Sequence, residues 1–229
     1  MHTFFTEKFA RDGEYAMLLD RERDHLFKTL RAKVGDQVEL FDGRGGRMLG
    51  VVSEQRSVKI NFAEQCPVPQ KKLHLCCAVP KRAKFDTLLK QAAELGVWSI
   101  LLIECERSVA KPEGSERWHV LLQEGCKQSK NPFLPQIESP IPLSARLQEL
   151  KNAQITPFFG AIRSEERMSG CGRELAWLVG PEGGFTDAEE SLMRSFGVRG
   201  LNLGPYVLRL ETAAVCGLAV LRQSLENDQ

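Results

Sequence analysis

The sequence of 229 residues predicts an α/β protein in two parts, a β-rich segment over 1–68 and a mostly parallel α/β segment over 73–229. Three observations predict it. Short strand-like runs around a glycine-rich hairpin signal fill the first part. Pro67, Val68, Pro69, Gln70, Lys71 and Lys72 form an extended linker, because the prolines restrict the backbone and the lysines keep it solvated. Beyond it, apolar runs of strand length alternate with helical patterns, the mark of a mostly parallel sheet.

In the first part, the spacing over 20–32 predicts a short helix with Leu26, Phe27 and Leu30 inward. His25, Lys28, Arg31 and Lys33 fall toward one side, which reads either as a solvated basic face or as a nucleic-acid face. The runs 38–41 and 49–53 flank Asp42, Gly43, Arg44, Gly45 and Gly46, a hairpin turn. Residues 58–62 alternate apolar and polar, as a half-buried strand does.

In the second part, 73–79 reads as a buried strand. A helix follows over 83–95, with Phe85, Leu88, Leu89 and Ala92 on one face and Gly96 at its C-terminal end. Residues 98–103 give the next strand, and 115–130 a helix with Trp118, Leu121 and Leu122 inward. Strands are expected at 155–161 and 175–179. Two strand–turn–helix units then close the chain. Leu178 and Val179 lead into Gly180, Pro181, Glu182, Gly183 and Gly184, and Thr186 caps a helix with Glu189 completing a capping box. A strand through Leu201 and Leu203 ends at Gly204 and Pro205. The helix after it places Leu210, Ala214, Gly217, Leu218, Leu221 and Leu225 on a core face.

Two such units bring two turns to the C-terminal edge of the sheet, where open α/β sheets bind ligands. Pro181 removes an amide donor, and Gly183 and Gly184 permit positive φ and close approach of backbone to a ligand. The turn is neither a Walker A loop nor the dinucleotide fingerprint. Arg209 and Glu211 sit where the second strand becomes helix. They read as a structural ion pair or a first-turn acid, or as an anion-binding Arg beside an acid/base Glu. Lys81, Arg82 and Lys84, then Arg107 and Ser108, then Gln128, Ser129 and Asn131 form three polar clusters near strand or helix ends. Each has a plain alternative in helix-start solvation, an ion pair with Glu104 or Glu106, or a polar C-cap. Together with the glycine turns they suggest a cleft.

Composition excludes several classes. The formal net charge is +1, and the basic excess is confined to 71–135, with 11 Lys and Arg against 7 Asp and Glu. That allows an RNA-facing surface without establishing one. No apolar stretch reaches the length of a membrane span, and Glu7, Lys8, Arg11 and Asp12 stand where a signal core would be, so a cytoplasmic protein is expected. Seven scattered cysteines without a C-x-x-C pair read as reduced, mostly buried thiols and not as a metal site.

GPEGGFT and LGPYVLRLETAA together resemble the C-terminal motifs of the SPOUT methyltransferases, and above all those of the bacterial ribosomal small subunit methyltransferase E family. HLFKTLRAKVGDQVELFDGRGG, LLKQAAELGVWSI, ERSVAK and EGCKQSKNPFLP agree in the same order, so the resemblance runs over about 25–221. Three positions depart from the family pattern. Leu210 stands where Thr is usual, Lys127 where Glu is common, and the N-terminus lacks the Arg that often precedes the two aromatics Phe4 and Phe5.

The resemblance implies a PUA-like RNA-binding β-barrel over 1–68 and a SPOUT domain with a C-terminal trefoil knot over 73–229. It implies a homodimer that methylates N3 of one uridine in 16S ribosomal RNA, using S-adenosyl-L-methionine and no metal. Leu178, Val179, Gly180, Pro181, Glu182, Gly183, Gly184, Leu203, Gly204, Val207, Leu208, Arg209, Thr212 and Ala213 are then expected at the cofactor. Arg21, Arg23, Lys28, Arg31, Lys81, Arg82, Arg107, Ser129 and Asn131 are expected at the RNA. N3 of uracil carries a proton and is a poor nucleophile until it leaves, so Glu211 is the expected base and Arg209 the partner of the anion. The target base must be unpaired or flipped, and Phe185, Tyr206 and Phe133 are candidate platforms for it. A SPOUT enzyme of other specificity (ribose 2′-O or guanine-N1) and a non-catalytic ribosome-assembly protein are the competing readings.

Overall fold

The computed structural model describes residues 1–109, 115–162, 164, 166, 168 and 171–227, Ser115 by its backbone alone. They divide into two compact units, Met1–Val68 with Cys126–Leu134, and Pro69–Gly125 with Pro135–Gln229.

The first unit holds a five-stranded sheet. Its strands are β1 (His2–Phe5), β2 (Tyr15–Ala16), β3 (Gln37–Phe41), β4 (Gly46–Val52) and β5 (Val58–Gln65), in the order β1-β3-β4-β5-β2. The β1–β3 pairing is parallel and the others are antiparallel. The expected hairpin forms because Asp42 Oδ1 accepts from the amides of Arg44 and Gly46, at 2.7 and 2.8 Å, while Gly43 and Gly45 take positive φ. Phe4, Leu18, Leu26, Val38, Leu40, Met48, Val58 and Ile60 make the core. The expected helix over 20–32 is two pieces, α1 (Asp20–Asp24) and a π-helical turn over His25–Thr29. Leu26 is buried and Phe27 packs at the core's edge, but Leu30 is exposed. The wider i→i+5 bonding, with Leu30 N donating to His25 O at 2.9 Å, turns Leu30 off the face that a 3.6-residue period assigns it.

The second unit is a six-stranded sheet with every pairing parallel. Its strands are β6 (Lys72–Ala78), β7 (Ser99–Glu104), β8 (Gln136–Pro142), β9 (Thr156–Gly160), β10 (Glu174–Val179) and β11 (Arg199–Leu201), in the order β11-β9-β10-β6-β7-β8. Its helices are α2 (Arg82–Glu94), α3 (Ser115–Ser129), α4 (Leu143–Asn152), α5 (Asp187–Ser195) and α6 (Leu210–Asn227). The end of α3 groups with the first unit. Phe85, Leu88, Leu89 and Ala92 are buried as the period requires, and Trp118 is half-buried with its ring edge-on to Phe85. Gly96 has φ +68 just past the end of α2. β8 and α4 are elements that periodicity does not reveal. Pro140 and Pro142 disguise β8, and it tolerates them because it is an edge strand with an irregular register against β7.

All seven cysteines are free thiols. Burial pushes the thiols of Cys76, Cys105 and Cys126 up to about 12, which keeps them protonated and unreactive at neutral pH. Among the described residues, no helix is long and apolar enough to cross a membrane.

Candidate functional site

The sheet order reverses between β6 and β10. From β6 the chain passes through α2 to β7 on one side; from β10 it passes through α5 toward β11 on the other. Such a switch point opens a crevice at the carboxyl ends of the two strands. The turn after β10 holds the first glycine motif, and Lys81 starts α2 after β6. They meet there: Lys81 N donates to Glu182 Oε1 at 3.3 Å.

The first turn is shaped from within and from beside. Gly184 N donates to Pro181 O at 2.8 Å, and Gly184 has φ +72 with open space where a Cβ would lie. A Cβ on Gly180 would lie 3.1 Å from Phe185 N, so glycine lets the chain fold back there. Thr186 and Glu189 form the expected capping box, with Thr186 N to Glu189 Oε2 at 2.8 Å and Glu189 N to Thr186 Oγ1 at 3.3 Å. Arg107, from the loop after β7, donates to Gly183 O at 2.7 Å. Leu178 and Val179 are buried in β10.

The second turn is built around Asn202, whose Oδ1 accepts from Gly204 N and whose Nδ2 donates to Ile162 O, both at 2.8 Å. Gly204 has φ +134, again with open space beside it. An Asn two residues before a Gly is the sequence signal for this Asx turn, and a reading by glycine motifs alone misses it. Leu203 and Leu208 are half-buried, while Tyr206 and Val207 are 78% and 84% exposed. Trp177 ties the second turn to the first: its Nε1 donates to Ala213 O at 3.0 Å, and its ring fills the place of a side chain at Gly217.

Lys84 joins the two turns electrically. Its Nζ lies 3.8 Å from Glu182 Oε1 and 3.5 Å from Glu211 Oε2. Glu211 Oε2 is buried without a hydrogen-bond partner, so Lys84 holds it as an ion pair. The backbone amide of Glu211 at the start of α6 lowers its carboxyl pKa most, and the charges of Lys84 and Arg209 add to this against burial. Glu211 is therefore an anion at neutral pH. Arg209 is exposed and acts on it through space. Leu210 is 7% exposed and belongs to the buried face of α6, so the residue type at that position does not reach the open side of the turn.

The other expected residues divide between the two units. Arg21, Arg23, Lys28 and Arg31 belong to the first unit, where Arg23 pairs with Asp20 and Lys28 with Asp24. Ser129 and Asn131 group with that unit too: Ser129 Oγ donates to Cys126 O at 3.4 Å at the end of α3, and Asn131 Oδ1 accepts from Phe133 N at 3.0 Å in the turn beyond it. Lys127 meets Glu22, which is 3% exposed, at 2.8 Å. That pair gives the Lys at 127 its physical reason. Phe133 is half-buried beside Gly45 in the same unit. In the second unit, Phe185 stands edge-on to Phe159, which leaves Tyr206 as the open aromatic of the three. Arg82 lies in the first turn of α2.

Known proteins resemble this chain in sequence and in fold. The family model for an RNA methyltransferase domain matches residues 67–222, and that for an RNA methyltransferase PUA domain matches residues 18–61. A ribosomal RNA small subunit methyltransferase E from Aquifex aeolicus is 30% identical over 96% of this chain and 99% of its own. A methyltransferase structure from Legionella pneumophila, solved with bound S-adenosylmethionine, superposes with a TM-score of 0.86 at 26% identity, covering 97% of both chains. A ribosomal RNA small subunit methyltransferase E from Neisseria gonorrhoeae shares the fold with a TM-score of 0.87 at 24% identity, covering 98% of both chains.

Proposed function

The chain belongs to the ribosomal RNA small subunit methyltransferase E family, and we propose that it transfers a methyl group from S-adenosyl-L-methionine to N3 of one uridine in the 16S RNA of the small subunit. The observation that carries this reading is the meeting of both glycine turns with an ionised Glu211 at the switch point of a parallel sheet. The residues fit the cofactor: Gly184 and Gly204 present open backbone, and Leu203 and Leu208 give half-buried apolar walls. Backbone groups of Gly180, Pro181, Glu182, Gly184, Leu203 and Gly204 would hold it, with Leu178, Val179, Val207, Thr212 and Ala213 around them. The cofactor supplies an electrophilic methyl on a sulfonium.

This chain's residues do the rest. Aligning the uracil on the methyl is the largest share, worth roughly 7–11 kcal/mol in favourable cases. Glu211 accepts the N3 proton, and Arg209 faces the uracil anion or a neighbouring phosphate. The low pKa of Glu211 keeps it always free to accept but makes it a weak base, which is why alignment carries more. Tyr206 is positioned as an open platform for a flipped base. The exposed Arg21, Lys28 and Arg31 supply phosphate contacts from the first unit, with Lys81 and Arg82 from the second.

The apolar exposure of Val207, Ile162 and Val220 in the second unit supports a homodimer. Family membership supports the knotted C-terminal path and a cytoplasmic site of action. Calorimetric titration with S-adenosylmethionine, beside sedimentation, tests the reading. Saturable one-to-one binding by a dimer is expected. No binding would favour the non-catalytic ribosome-assembly reading.

A further inference from the structure

We propose that Arg107 is a positioning residue that holds the turn 180–184 in its cofactor-binding shape, and not a contact to RNA. The inference rests on the reading of that turn as part of the S-adenosylmethionine site. Its first support is the bond from Arg107 Nη1 to Gly183 O at 2.7 Å. Its second is the identity of residue 183. Gly183 does not have positive φ, so its backbone does not demand glycine. A Cβ there would meet Arg107 Cδ at 3.1 Å, Cβ at 3.5 Å and Cγ at 3.9 Å, and these are its three nearest neighbours. The glycine makes room for the arginine stem.

The third support is the loop that carries Arg107. Cys105 N donates to Ser108 Oγ and Ser108 N to Cys105 O, both at 3.0 Å, so the loop is closed on itself. Glu106 N donates to Glu189 Oε1 at 2.8 Å, while Oε2 of the same carboxylate accepts from Thr186 N. Two tethers therefore run from residues 106 and 107, one to the end of the glycine turn and one to the cap of the helix that follows it. The Gly183 carbonyl is taken by the guanidinium and the Gly184 amide by Pro181 O, which leaves the amides of Glu182 and Gly183 for a ligand.

The test is calorimetry with S-adenosylmethionine on the full-length wild type, Arg107→Ala, Gly183→Ala and the double variant, with the salt dependence of RNA binding measured on each. Each single change is expected to weaken cofactor binding roughly tenfold, the scale of one hydrogen bond to a charged group. The double variant is expected to bind no more weakly than Arg107→Ala, because the methyl added at position 183 then meets no arginine stem. Arg107→Lys, which keeps a donor and a stem, is expected to restore most of the affinity, and the salt slope for RNA is expected to stay unchanged. Unchanged cofactor affinity with a salt slope smaller by about one would make Arg107 a phosphate contact and overturn the proposal. Additive losses in the double variant would overturn it as well. A wild type that binds no cofactor would bring down the reading of the turn, and the role of Arg107 with it.

Discussion

Gly217→Ala sets two physical effects of opposite sign against each other. Gly217 lies inside α6, and replacing an interior helical glycine with alanine is worth about 1 kcal/mol in helix propensity. The packing says otherwise. A Cβ there would lie 1.9 Å from Trp177 Cε2, about 1.5 Å short of ordinary contact. Trp177 is fully buried in β10 and pinned by its bond to Ala213 O, so it has little freedom to move aside. Forcing helix and indole apart costs about 1–3 kcal/mol or more, and the indole bond to Ala213 adds about 1 kcal/mol when it is stretched. The net expectation is a loss of about 1–3 kcal/mol, or a fall of several degrees in the thermal midpoint. Ala219→Gly, at an exposed position of the same helix, isolates the propensity effect and should cost about 1 kcal/mol. Because α6 carries Thr212 and Ala213, cofactor affinity should fall with the midpoint. Thermal unfolding and calorimetry on the same samples give both readings. A higher midpoint for Gly217→Ala would refute the packing argument.

Lys84→Met removes the cation beside Glu211 and raises its pKa, though the backbone amide still holds it below the ordinary value. The acid limb of the single-turnover pH profile should move to higher pH; an unmoved limb would show that the ion pair does not reach the chemistry. Glu211→Gln should lower the single-turnover rate by about 10²-fold, the low end for a general base, and a full rate would end that role. His74 is kept below its ordinary value of 6.5 by burial, with the bond to Glu174 opposing. The unfolded chain therefore takes up a proton that the folded chain resists. Stability should be fully present above pH 6.5 and fall as the pH drops below it; urea midpoints across that window should flatten in His74→Gln. Lys127→Met leaves the buried Glu22 unpaired and should cost about 3–5 kcal/mol, while Glu22→Gln with Lys127→Met should recover most of it, because glutamine still accepts from Phe5 N. Equal losses in the single and double variants would contradict that pairing.

What was legible in the sequence was local. The capping box of Thr186 and Glu189 needs only three residues of chain, and the buried face of α2 only a period. What was illegible depends on partners far along the chain. β8 hid behind Pro140 and Pro142, which an edge strand accepts and an interior one does not. The π-helical turn at His25–Thr29 breaks the period that assigned Leu30 to the core. Ser129 and Asn131 were legible as polar groups at the end of a helix, but not their bonds: Ser129 turns back onto Cys126 O and Asn131 closes a turn onto Phe133 N. Arg107 showed its charge in the sequence, while its partner, the carbonyl of Gly183, lies 76 residues away. Lys84 was visible as part of a basic cluster. Its place between Glu182 and Glu211 follows from the strand order, which no local pattern states.

The family motifs carried the cofactor expectation, and the geometry adds how the turns are held. Trp177 is the mechanical link, since one residue of β10 grips both Ala213 and the groove at Gly217. Lys84 is the electrical link between acids on the two turns. A site arranged in this way costs little reorganisation when substrate arrives, which suits a reaction dominated by alignment.

The most direct measurement is methyl transfer from labelled S-adenosylmethionine to small ribosomal subunits that lack their native modifications, followed by digestion of the RNA to nucleosides. Label in 3-methyluridine is the predicted result, with loss of that label in Arg209→Ala and Glu211→Gln. Label in a 2′-O-methylated nucleoside or in 1-methylguanosine, or no transfer by a protein that binds the cofactor, would contradict it.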